Sequence, residues 1–167
     1  MLSIKLPAHG LCLLLLVAAS ARAEHAKVTL DVESGGKKET AFVDQTPPAT
    51  GKNPRPVIKV KAGETIKIQW TLTNVYPNKT LEDVLVHSYV VKQKKVGLKE
   101  LPVIDDDVEM ETAYRMDFKP GGKSGARCKL KIDKPGVYLV RVETTDTQSD
   151  HEHFAAIDLV VEEAEKK

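Results

Sequence analysis

Apolar and polar residues alternate one by one along most of this chain, and that period of two does most to narrow its folds. Val28, Leu30 and Val32 alternate with Thr29, Asp31 and Glu33, the pattern of a strand with one face buried and one face wet. Ile66, Ile68, Trp70 and Leu72 repeat it. So do Val108, Met110, Thr112, Tyr114, Met116 and Phe118, set against Glu109, Glu111, Arg115 and Asp117. A helix would bring every third or fourth residue to one face, and no stretch beyond residue 23 keeps that spacing.

Turn residues divide the pattern. Gly35-Gly36 ends the first strand, and a short apolar piece, Ala41-Phe42-Val43, follows. Pro47, Pro48, Pro54 and Pro56 forbid regular pairing through most of 44–56. Val57 to Lys61 and Ile66 to Leu72, joined by Ala62-Gly63-Glu64, predict a hairpin. Val84 to Lys92 is apolar at odd and even positions alike, as expected of a central strand covered on both faces. Lys119-Pro120-Gly121-Gly122 and Asp133-Lys134-Pro135-Gly136 mark two further turns, and Val137 to Glu143 and Phe154 to Glu162 close the set. About eight strands at short spacing predict an all-β, Greek-key β-sandwich.

The start of the chain reads differently. A basic beginning, an apolar run from Leu11 through Ala19, and Ala21-Arg22-Ala23 are the parts of a cleavable secretory signal peptide. The run is too short to span a bilayer as a helix. Residues 1–23 are therefore expected to be removed, leaving 24–167 as a single domain of 144 residues, secreted or periplasmic. The signal holds two of the 25 basic residues and none of the 24 acidic ones, so 23 basic residues face 24 acidic ones afterwards. Near-neutral, interspersed charge predicts no nucleic-acid partner, and no later segment predicts a membrane span. Of the two cysteines, only Cys128 remains after cleavage, so no intramolecular disulfide can form.

Two stretches resemble the cupredoxin branch of the β-sandwiches. Val57 through Ile66, followed by Trp70 and Asn74, is similar to that family's first hairpin. Asp133-Lys134-Pro135-Gly136-Val137-Tyr138, with His151 and a last apolar strand, is similar to its C-terminal end. Immunoglobulin-like domains share the Pro-Gly-x-Tyr turn. The resemblance implies the sandwich and places His87 where the family has a copper-binding histidine. It does not extend to blue copper, which needs a thiolate beside two imidazoles. Val142 stands where that cysteine should be, and no methionine follows His153.

Among chemistry-bearing residues, Asp150-His151-Glu152-His153 is the sharpest group. His151 and His153 share a face if the strand begins early enough, and with His87 they would suit copper or zinc. Solvated loop histidines account for the same residues more simply, and His87 alone reads as a hydrogen-bonded core histidine. After cleavage His25 is the second residue and could add its imidazole to such a site, although a flexible terminus accounts for it more simply. Asp105-Asp106-Asp107 matches no EF-hand spacing and reads as a solvated turn. Asn78-Lys79-Thr80 fits the N-glycosylation pattern. Cys128, Trp70 and Tyr138 read as core residues. No nucleophile elbow, phosphate loop or His-Glu-x-x-His sequence occurs. The expectation is thus a non-catalytic binding or interaction domain for an unknown protein or small ligand, with no cofactor. The alternative is a copper- or zinc-binding protein using His87, His151 and His153.

Overall fold

The computed structural model describes residues 25–42, 55–145 and 153–164. The signal segment, most of the proline-rich stretch and His151 lie outside the described residues. Within them the chain forms nine strands and no helix: β1 (Ala26–Ser34), β2 (Lys37–Phe42), β3 (Val57–Lys61), β4 (Thr65–Asn74), β5 (Leu81–Gln93), β6 (Val108–Phe118), β7 (Lys123–Lys131), β8 (Gly136–Thr145) and β9 (His153–Glu162). They make two layers, a four-stranded sheet ordered β2-β1-β4-β7 and a five-stranded sheet ordered β3-β9-β8-β5-β6. The all-β sandwich expected from the alternation is what forms. The ninth strand is β2, which the two glycines Gly35 and Gly36, both at positive φ, fold back onto β1.

Alternation turns into burial as the period requires. Val28, Leu30 and Val32 of β1, Ile66, Ile68, Trp70 and Leu72 of β4, Val140 and Val142 of β8, and Ala155, Ile157 and Leu159 of β9 meet in one core between the layers. Burying each large aliphatic side chain there is worth roughly 1.5–3 kcal/mol. The Asn74 side chain sits at one end of this core and ties three connections together. Its amide donates to the carbonyls of Lys79, Phe118 and Lys119 at 2.8, 2.9 and 3.2 Å, and its oxygen accepts from the Tyr76 N–H at 2.9 Å.

The hairpin expected from Val57 to Leu72 does not form. β3 pairs in parallel with β9, whereas β4 lies in the other sheet between β1 and β7. The turn at Gly63 (φ 77°) is a corner between layers. Its N–H groups are taken up across the sandwich, Ala62 N–H donating to the Glu162 carbonyl at 2.8 Å and Gly63 N–H to Ile132 at 2.9 Å. The Glu64 carboxylate accepts from Lys61 N–H at 3.1 Å and from the Ser34 hydroxyl at 3.3 Å, which holds the corner closed.

β5 is covered on both faces, as its composition requires. Val84, Val86 and Val90 enter the main core, while Tyr89 and Val91 pack with Leu139 and Ala156 on the opposite face. Ile104, from the long connection between β5 and β6, closes that second cluster. This connection, residues 94–107, is the feature that positions the candidate site.

Candidate functional site

The outer face of the five-stranded sheet is built from the other set of alternating positions. β5 contributes His87, Tyr89, Val91 and Gln93; β8 contributes Leu139, Arg141 and Glu143; β9 contributes Phe154, Ala156 and Asp158. Asp158 is fully buried on this face, and the side chain of Arg55, just before β3, is 3% exposed. The guanidinium lies 3.2 Å from Asp158 Oδ1 and donates to the Leu98 carbonyl at 2.9 Å. Gln93 Nε2 donates to the same Oδ1 at 2.9 Å, and Gly97 N–H donates to Oδ2 at 2.7 Å. A buried charge is tolerated only when paired and hydrogen-bonded in this way. Burial pulls the Arg55 guanidinium below its ordinary value, and the Asp158 carboxylate works in the opposite direction.

Two partners of this ion pair, Gly97 N–H and the Leu98 carbonyl, belong to the 94–107 connection. The pair therefore anchors the connection to the sheet. Beside the anchor lies a cleft of about 510 Å³, with Gln93 on its floor, Leu98, Leu101, Pro102 and Val103 along one wall, and Lys92, Lys94, Glu100, Asp106 and Asp107 around it. Leu101 and Val103 are 47% and 63% exposed. Such a cleft can take an apolar ring or side chain and orient it by charges of both signs at the rim. The sequence pattern did not single out Arg55 or Asp158. The one signal was an aspartate inside the apolar run Ala155 to Val161, which a strand buried on both faces carries only for a partner.

The histidines are distributed differently from the sequence expectation. His87 is not in the core. It faces outward, its side chain 17% exposed, with Nε2 2.9 Å from Glu111 Oε1 and Nδ1 3.4 Å from Glu143 Oε1. Glu143 also pairs with Arg141, whose guanidinium lies 4.0 Å over the Phe154 ring. His153 opens β9, is fully buried and points inward with Ala155 and Ile157. His87 and His153 thus occupy opposite faces of one sheet, and the structure does not bring them together. His151 lies outside the described residues. The imidazole that does meet His153 is His25, edge-on with ring centroids 6.0 Å apart, and His25 also stacks on Tyr76 at 4.5 Å. Among the described residues no three His, Cys, Asp or Glu side chains are placed to hold one metal ion.

The remaining candidates fall as follows. Asp105, Asp106 and Asp107 are exposed at the end of the 94–107 connection, and Asn78 is exposed in the turn after Pro77. Trp70 and Tyr138 are buried, and the Tyr138 hydroxyl donates to the Lys134 carbonyl at 2.9 Å. Cys128 is only half-buried, with its thiol 3.2 Å from the Met110 thioether. Burial pushes that thiol above its ordinary value.

No protein-family model matches this sequence, and no curated protein does. Solved structures overlap with part of it. A family 123 glycoside hydrolase from Clostridium perfringens matches 68% of the chain at 11% identity and a TM-score of 0.42, and the chain spans 24% of that hydrolase. The C-terminal domain of wzt matches 81% at 12% identity and 0.42, with 72% of that domain covered. A chitin binding domain from Burkholderia pseudomallei matches 70% at 14% identity and 0.39, with 61% covered. At these identities and scores none of them lends this chain a partner or an activity.

Proposed function

We propose that this chain is an exported, non-catalytic binding domain whose ligand seat is the cleft beside the 94–107 connection. One observation carries the reading: a fully buried carboxylate and a buried guanidinium are used to hold a surface connection whose apolar residues face solvent. Fixing a recognition loop before it meets its ligand removes ordering entropy from binding. Export rests on the signal pattern of residues 1–23.

A fragment library screened by amide chemical shifts tests the seat. Hits that combine an apolar ring with a charged group are expected to move the signals of Gln93, Leu98 and Leu101. They should lose binding by about tenfold or more in Leu101→Asp, the loss of an apolar contact in a desolvated pocket. Hits confined to other surfaces, or hydrolysis of chromogenic ester, glycoside or phosphate substrates by the purified protein, would overturn the reading.

A second reading, transition-metal binding, has one observation in its favour, the approach of His25 to His153. Two imidazoles at this spacing can share a copper or zinc ion whose other positions are open. Calorimetry with Cu(II) and Zn(II) is expected to show uptake that disappears in His25→Ala with His153→Ala and survives His87→Ala. Uptake that depends on His87 would reject this arrangement, as would no uptake at all.

A further inference from the structure

Along one side of the sandwich the fold is left open. β6 is the last strand of the five-stranded sheet and β7 the last of the four-stranded sheet, and the short turn 119–122 joins them. Among the described residues, two edges without a neighbouring strand therefore run down the same side. Inward positions on β1, β4, β8 and β9 are buried, yet on β6 and β7 most are not: Phe118 is buried, but Met110, Tyr114, Met116, Cys128 and Leu130 are partly exposed, and Thr112 and Ala126 are exposed.

The outward positions on these two strands differ in sign. β6 presents Glu109, Glu111 and Asp117, with Arg115 between them, and β7 presents Lys123, Arg127, Lys129 and Lys131. Their relative height is set by two contacts across the sandwich. The direct contacts between the two strands put Met110 level with Cys128 and Tyr114 level with its hydrogen-bond partner Ser124. Counting along the strands from these two contacts, Glu111 stands level with Arg127 and Glu109 with Lys129. Arg115, the one basic residue of the acidic row, stands level with Lys123.

We propose that this side is a two-fold interface between two copies of the chain. A two-fold axis parallel to the strands preserves height, so it sets β6 of each copy antiparallel to β7 of the other and continues both sheets across the dyad. The acid–base matches of Glu109 with Lys129 and Glu111 with Arg127 then fall side by side in each strand pair, with Arg115 beside Lys123 the like-charged exception, and the partly exposed Met110, Tyr114, Met116 and Leu130 are enclosed. Lysines on an edge strand ordinarily blunt edge-to-edge pairing. Here they repel only another basic edge. β7 against β7 and β6 against β6 are disfavoured, and β6 against β7 remains, which is specificity by exclusion as well as attraction. The arrangement is closed, so it stops at two. Eleven residues of β6 and nine of β7 come close to the roughly 20–30 residues per partner of stable complexes.

The test is sedimentation of residues 24–167 over a wide concentration range, with two charge-reversed variants. Glu109→Lys with Glu111→Lys makes both edges basic, and Arg127→Glu with Lys129→Glu sets acids opposite Glu111 and Glu109. Each is expected to weaken self-association by about tenfold or more, since like charges directly opposite destabilise a strand pair. Mixing the two variants is expected to restore a dimer, because each then offers the edge the other lacks. That recovery also shows both variants folded. A chain that is monomeric throughout, a dimer indifferent to both reversals, or a mixture that fails to associate overturns the proposal.

Discussion

Cys128 shows how far a residue's surroundings depart from what its sequence pattern implies. Alternation with Leu130 and Ile132 marks it as an inward position, and inward it points, but β7 is an edge and the thiol is only half covered. Tyr114 is in the same situation on β6. Burial raises the ionisation of both above their ordinary values, 9.0 for the thiol and 10.0 for the phenol. A raised value in the folded state gives a definite sign. Below about 9 both groups are protonated whether folded or not, and their contribution is fully present. As pH climbs, the unfolded chain ionises first, so stability is lost until the folded values are passed. Urea midpoints measured between about pH 8 and 10 are expected to fall more steeply for the unmodified chain than for Cys128→Ala. Parallel curves would show that the thiol is as well hydrated in the fold as out of it.

At the scale of elements, the 94–107 connection matters most, and Asp158 on β9 is what holds it. Asp158→Asn leaves the Arg55 guanidinium buried beside Arg141 without its carboxylate, a change expected to cost about 3–5 kcal/mol. Replacing both residues, Arg55→Leu with Asp158→Leu, removes the unpaired charge and is expected to recover most of that loss. Chemical denaturation gives the energies. Amide hydrogen exchange shows where the damage lies, with protection falling first at Gly97, whose N–H donates to Asp158. A double variant as unstable as the single one would mean that the pair contributes more than mutual neutralisation. The corner at Gly63 teaches a related lesson. Period-two runs on either side of a three-residue turn look alike whether the strands pair or part, and only the bonds from Ala62 and Gly63 across to Glu162 and Ile132 carry them into different layers.

For the whole molecule, the sandwich was legible from the first pattern read, because the side-chain period of a strand is a local property of the backbone and needs no partner to be seen. The double coverage of β5 was legible for the same reason, since it is apolar at odd and even positions alike. Which strands neighbour one another was not legible. Pairing of β3 with β9, the placement of His87 and His153 on opposite faces, and the approach of His25 to His153 all join residues far apart in the chain. Nothing in their local sequence records that distance. The sequence by itself determined strands, turns and inward positions. Only the tertiary structure decided which inward positions are covered, because coverage depends on what lies across the interior, and on β6 and β7 it covers Phe118 but leaves Met110, Tyr114, Cys128 and Leu130 partly exposed.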